Sequence, residues 1–313
     1  MPEMPYRKHA GSFARLKFFL ALSRTPHGLL DMTTPVFAAM LYLGALPPAD
    51  VIVLGLITAF AGYTAVYALN DVVDFPVDRK KYLQGHVAGG GGDLDALLVR
   101  HPMAQGLLSF REGLFWTFGW SMVALGGAYL LNPVCVLIFV AGCLLEAVYC
   151  LMLRLSQLRV FVSGVVKTLG AIAAVFAVDP HPRTSFLGAL FLCLFFWEIG
   201  GQNIPNDWSD VDEDSCQGAC TLPLRGGAGR AAVLILVFLF LAVAESVILF
   251  KLSPADFSGG YMLVVLVAGT LLLLVPAADL LRDGSCTGAM RLFNRASYYP
   301  AVLLTVVMTR LLG

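Results

Sequence analysis

The feature that most constrains this chain is a run of apolar stretches, each about 20 residues long, repeated along its whole length. Hydropathy alone places them at 28–46, 50–70, 112–131, 133–152, 158–178, 184–206, 230–250, 260–281 and 294–312. Twenty apolar residues in helical form cross a hydrocarbon core of roughly 30 Å. Backbone polar groups in lipid need partners within the segment or within a closed barrel. Stretches such as "LFLCLFF" and "LLLLV" lack the alternation of a barrel strand, so helices are expected. Only 13% of the 313 residues are charged, against roughly 25% in a soluble domain. The expected fold class is therefore all-α, an integral membrane bundle of about nine transmembrane helices.

Charge orients the bundle. Of 21 Lys and Arg, seventeen fall in the N-terminal arm (1–27) or in or at the edges of the loops after spans two, four, six and eight. Arg183, Lys251 and Arg310 lie on the other side, and Lys167 lies within span five. The positive-inside bias then puts the N-terminus and the acidic motifs in the cytoplasm and the C-terminus opposite; in a bacterium the membrane would be the inner or plasma membrane. The arm is basic and only briefly apolar, which suits an interfacial helix and not a cleavable signal. A formal net charge of zero gives no reason to expect a nucleic-acid partner. Cys216 and Cys220 form a CxxxC without nearby histidines, which is not zinc spacing.

Within this apolar background one acidic word occurs twice. Residues 70–78 read "NDVVDFPVD" and 206–214 read "NDWSDVDED", sharing N-D-x-x-D-x-x-x-D. Asn70, Asp71, Asp74 and Asp78 thus match Asn206, Asp207, Asp210 and Asp214. Each copy ends an apolar span and opens onto a cytoplasmic loop, with "RHPMAQG" after the first and "TLPLRGG" after the second. A duplication, with pseudo-repeat halves at roughly 28–152 and 158–313 of a single domain, explains the recurrence. Offsets of three and four bring each set of aspartates to one helical face. Pro76 interrupts the first copy, so Asp78 is expected on a separate short element. Carboxylates at a helix C-terminus oppose the macrodipole by ~0.3–1 kcal/mol each, and the arrangement does so twice. Six clustered carboxylates repel unless cations lie between them, and hard oxygen donors at a membrane surface suit Mg²⁺ bridging to a substrate's phosphates. A lipidic diphosphate matches the geography, its head at the cytoplasmic mouth and its tail in the bundle.

These motifs resemble the UbiA superfamily of intramembrane prenyltransferases. The likeness spans nearly the whole chain: about nine spans, the two aspartate motifs, "RHPMAQG" and "TLPLRGG". It implies a bundle around a central cavity beneath a cytoplasmic cap. It also implies Mg²⁺-dependent transfer of a prenyl group from an allylic prenyl diphosphate donor to a lipid-soluble acceptor, with diphosphate released. In most relatives the acceptor is aromatic, which suggests a quinone or related isoprenoid pathway. The metal-binding role falls on Asp71, Asp74, Asp207 and Asp210, with Asp78 and Asp214 available for a second ion. Asn70 and Asn206 are neutral oxygen donors beside them. The first loop departs from the family pattern: "RKKYLQGHVAGGGGDLDALLV" (79–99) is long and glycine-rich, and His101 separates Arg100 from Pro102. Acceptor specificity is expected in that insertion.

Other polar residues are candidates for substrate contact. Lys167 sits mid-span, where an unpaired charge costs roughly 2.5–3.5 kcal/mol on insertion scales. It either faces the diphosphate or pairs with Glu146 or Glu198. Arg79, Arg100 and Arg154 are basic positions near the motifs, Tyr149 precedes Arg154, and Asn203 and Glu198 lead into the second motif. Tyr63 and Tyr67 precede the first motif by two turns and one turn and suit a wall that shields an allylic cation. Two rivals share part of this evidence: an intramembrane terpene synthase that needs no acceptor, and a cation-coupled transporter. Transporters bind near the bilayer midplane, whereas these aspartates end their spans.

Overall fold

A computed structural model describes residues 12–85 and 98–313, all helices and connections with no strand among them. In chain order the helices are α1 (Ser12–Leu22), α2 (Thr25–Asp31), α3 (Thr33–Leu43), α4 (Ala49–Leu83), α5 (Phe110–Leu131) and α6 (Pro133–Leu151). Then follow α7 (Arg159–Val178), α8 (Thr184–Trp197), α9 (Ile204–Ser209), α10 (Val211–Gln217), α11 (Leu222–Gly226) and α12 (Ala228–Lys251). The chain ends with α13 (Gly260–Gly269), α14 (Val275–Asp283), α15 (Cys286–Ser297) and α16 (Tyr299–Leu312). Among the described residues seven stretches are long and apolar enough to cross a bilayer. They correspond to expected spans two to eight. The first and ninth arrive instead as pairs of shorter helices, α2–α3 and α15–α16.

Prolines explain where the helices break. A proline has no N–H for the carbonyl four residues earlier. Pro35 frees the carbonyl of Asp31, which accepts instead from the Thr34 hydroxyl at 2.9 Å, at the α2–α3 junction. Pro300 frees that of Ala296, and Trp197 Nε1 donates to it at 2.9 Å. Pro205 and Pro276 each follow a π-helical turn, Glu198–Asn203 and Thr270–Leu274, the local adjustment that re-satisfies backbone groups in lipid. Pro76 behaves differently. It lies inside α4 without ending it, so Asp78 shares one continuous helix with Asp71 and Asp74 and not the separate element expected.

Side-chain placement matches a bilayer solvent. Phe115, Leu130, Leu137 and Phe240 point outward and are exposed, whereas Phe37, Leu190, Trp197, Ile235 and Tyr299 are buried at the centre. The α7 helix packs on α3, α6 and α8, α12 packs on α8, and α4 lies along α5. A second small cluster, Leu22, Ala68, Val72, Met103 and Leu108, fastens α1 and the segment before α5 onto α4. That contact sets a lid of chain over the end of α4 where the first acidic motif lies. Residues 86–97, most of the glycine-rich insertion, lie outside the described residues, as do residues 1–11 of the arm.

Candidate active site

The two acidic motifs meet. Asn70, Asp71, Asp74 and Asp78 on α4, and Asn206, Asp207, Asp210 and Asp214 on α9, α10 and their junction, all line one cavity of about 840 Å³. From this acidic mouth the cavity runs into an apolar end walled by Val51, Ile52, Ala59, Ile138, Phe139 and Ala174. Helical spacing aligns the aspartates on α4. On the other side, the left-over turn at Asp210 links α9 to α10, with the Asp214 N–H donating to the Asp210 carbonyl at 2.9 Å.

Basic side chains from four separate elements face these carboxylates. Arg24, after α1, lies 3.7 Å from Asp71. Lys81, one turn past the first motif, reaches across to Asp214 at 3.3 Å. Arg100 meets Asp210 at 2.8 Å and Glu213 at 3.9 Å. Arg159, at the start of α7, lies 3.7 Å from Asp207 and 4.2 Å above the Tyr149 ring. His101 Nδ1 stands 3.0 Å from Asp78 and 3.4 Å from Asp71, close ion contacts without the angle of a directed hydrogen bond. Its backbone is left-handed, φ 49°, a conformation that costs a non-glycine residue free energy. Burial opposes charging this imidazole, but the carboxylates of Asp78 and Asp71 outweigh it and raise its pKa to about 9. At neutral pH the histidine is therefore a cation between two aspartates. Ligand atoms of Asp71, Asp78 and His101 lie within 4.8 Å of one another.

Not every expected residue reaches the cavity. Arg79 instead donates to the Ala104 carbonyl at 2.7 Å and holds the loop. Arg154 ends a 3-10 turn, Met152–Arg154, and points to the Gln217 amide oxygen at 3.3 Å. Arg159, which the sequence shows only as one more loop charge, is the basic residue of this segment that lines the cavity beside the second motif. The Tyr149 hydroxyl is contacted by Arg159 and accepts from Asn203 Nδ2 at 2.9 Å. Lys167 lines the cavity but pairs with neither Glu146 nor Glu198. It donates to Asp31 at 2.6 Å and to the Tyr67 hydroxyl at 2.8 Å, and Tyr67 also donates to Asp31. Asp31 lies inside the apolar stretch 28–46, where a carboxylate is as anomalous as Lys167 is within its own span. Asn70 donates to Glu146 at 2.7 Å, and Tyr63 meets Thr34 at 3.1 Å.

The "TLPLRGG" segment forms Thr221 and α11 beside the site and does not line the cavity. Thr221 is fully buried, and the preceding Cys220 N–H donates to the Leu153 carbonyl at 2.7 Å.

Comparison with known proteins agrees with this architecture. A digeranylgeranylglyceryl phosphate synthase of Thermococcus sibiricus is 24% identical over 258 residues, covering 82% of this chain and 84% of the relative. The synthase of the same description from Methanosarcina barkeri is 29% identical over 64% of this chain and 68% of its own. Among solved structures, a UbiA homolog from Aeropyrum pernix K1 superposes with TM-score 0.70 at 17% identity, covering 90% of this chain and 97% of that one. A UbiA homolog from Archaeoglobus fulgidus bound to DMAPP and Mg²⁺ gives TM-score 0.67 at 16% identity, over 92% and 98% of the two chains. The family model for UbiA prenyltransferases matches residues 32–298. This multi-pass membrane protein belongs to the UbiA prenyltransferase family.

Proposed function

We propose that the chain transfers a prenyl group from an allylic prenyl diphosphate to a hydroxyl of a lipid-borne acceptor at the cytoplasmic face. The observation that carries this reading is the convergence of both aspartate motifs on the mouth of a single cavity with an apolar interior. Such a cavity takes a charged head at one end and a hydrocarbon chain at the other. The Archaeoglobus homolog's DMAPP and Mg²⁺ support the donor class. The relatives' product, a glyceryl phosphate carrying two geranylgeranyl groups, supports a hydroxyl acceptor ahead of the aromatic one expected from sequence.

The donor set fits Mg²⁺: six carboxylates and two amide side chains around one mouth, hard oxygen donors that outnumber the His101 ring among the described residues. Asp71, Asp74, Asp207 and Asp210 would hold the ion, with Asp78 and Asp214 beside them. When bound, magnesium neutralises the leaving diphosphate and so lowers the barrier to C–O cleavage. Arg159, Arg100 and Lys81 supply further positive charge at the same mouth and orient the head group. Tyr149 fixes the Arg159 guanidinium from one face. Tyr63 and Tyr67 present aromatic surface below it, where an electron-poor allylic carbon is stabilised by cation–π contact. The apolar end excludes water and aligns the chain, converting an encounter of two lipids into a reaction within one site.

The test is turnover of the detergent-purified protein with Mg²⁺ and a panel of prenyl diphosphates. Hydroxyl-bearing glyceryl phosphate lipids, aromatic acceptors or no acceptor complete the reactions. Diphosphate released only with a glyceryl phosphate lipid supports the reading. Release with an aromatic acceptor restores the quinone-type alternative, release without acceptor favours a terpene synthase, and no release under any condition refutes the assignment.

A further inference from the structure

One carboxylate in the cavity has no role in the arrangement described so far. Glu198 is 5% exposed and lines the cavity below the aspartates. Ser163 Oγ donates to its Oε1 at 2.9 Å. Its Oε2 is buried and has no hydrogen-bond partner among the described residues. The other deep carboxylates are occupied: Glu146 by Asn70, Asp31 by Lys167 and Tyr67. A buried, unmet acceptor atom is unfavourable and rare in native folds, which points to a donor that arrives with substrate.

The backbone is built to hold this side chain in place. Glu198 opens the π turn Glu198–Asn203, a distortion common at functional sites. The turn's outer face is pinned by two glycines. A Cβ on Gly200 would lie 3.0 Å from Leu239 Cγ and 3.1 Å from the Ile235 carbonyl, and one on Gly201 2.9 Å from Ala296 Cβ. Close packing there leaves Glu198, Gln202 and Asn203 facing the cavity.

Depth follows from α7. Arg159, which faces Asp207, and Ser163, which holds Glu198, are four residues apart on that helix. Glu198 therefore lies about one turn, roughly 5.4 Å, beneath the level of the proposed diphosphate. A donor held head-up by the aspartates would present its first carbon near this depth, between the charged mouth and the apolar end.

We infer that Glu198 is a catalytic residue, the proton acceptor for the nucleophile, with Ser163 as its positioning residue. The inference rests on the transfer reading above. The C1–O bond of the donor breaks and its electron pair leaves on the diphosphate. A lone pair of the acceptor hydroxyl forms the new C1–O ether bond, and the hydroxyl proton passes to Glu198 Oε2, to be released later to water.

Glu198→Gln keeps the size of the side chain and the Ser163 contact but removes the basic oxygen. With the full chain, Mg²⁺, an allylic prenyl diphosphate and the acceptor that supports turnover, kcat for transfer falls at least about 100-fold. The donor KM stays within about two-fold, as does the slow acceptor-independent solvolysis of the donor, since donor ionisation needs no proton acceptor at this position. Ser163→Ala lowers transfer less, again sparing solvolysis. Full transfer activity in Glu198→Gln overturns the assignment. So does a parallel loss of transfer and solvolysis, which marks a merely structural role. If the glutamine variant does not fold, Glu198→Asp serves, and its transfer falls selectively while solvolysis persists. A wild-type protein that releases no diphosphate with any acceptor overturns the transfer reading and this assignment together.

Discussion

Arg159 is the sharpest test of the site as the structure draws it. Its guanidinium is almost wholly buried, 8% exposed, within 3.7 Å of Asp207 and stacked on Tyr149. A hydrogen bond from a charged group is worth about 1.5–3 kcal/mol. At 1.4 kcal/mol per factor of ten, Arg159→Met lowers kcat/KM for the donor by about 10- to 150-fold. Arg159→Lys keeps the charge but not the planar fork or the stack, and falls between. Arg154→Met removes an exposed side chain that donates to the Gln217 amide oxygen. Its effect stays within about two-fold, as for a surface change of ~0.5 kcal/mol or less. The assay is continuous diphosphate release at saturating acceptor, with thermal unfolding in detergent as the control for folding. If Arg154→Met loses activity as Arg159→Met does, or if Arg159→Met loses none, the charge at the mouth has been assigned to the wrong residue.

Other outcomes follow from the same geometry. Asp31→Asn strands the Lys167 ammonium and destabilises the fold by about 3–5 kcal/mol, measured by detergent unfolding, and Asp31→Asn with Lys167→Met recovers most of that loss. Asp71→Asn and Asp207→Asn each abolish the rise in unfolding temperature that Mg²⁺ with a diphosphate analogue gives wild type through linkage; a variant that keeps the full shift removes that aspartate from the metal site. Cys216 is exposed on α10, two residues past the second motif, so a membrane-impermeant maleimide labels it from the cytoplasmic side only, and labelling from outside intact cells would reverse the proposed orientation.

Local periodicity made part of this molecule readable in advance. Offsets of three and four are properties of one helix, so Asp71 and Asp74 declare their shared face without any tertiary information; Asp78 did not, because Pro76 suggested a break that the continuous α4 does not have. The apolar lengths gave seven of the expected spans for the same reason. Contacts between distant segments were not readable. Lys167 plainly needed a counter-charge, yet Asp31 is 136 residues away and no spacing rule links them. Arg154 and Arg159 differ by five residues, and only the 3-10 turn between α6 and α7 turns one outward and the other into the cavity. His101, which looked like a defect in an Arg-Pro pair, is placed between two aspartates by a left-handed backbone that nothing in the local sequence demands.

The basic residues at the mouth have a consequence for selectivity. With five of its six aspartates already facing Arg24, Lys81, Arg100, His101 or Arg159, the vestibule keeps only a small net negative charge before any guest enters. A lone dication must displace an internal positive group, and a lone polyanion must displace an internal negative one. An incoming pair that brings both signs can trade partners on each side at once. On the proposed function, the metal and pyrophosphate would therefore enter together more readily than either ion by itself.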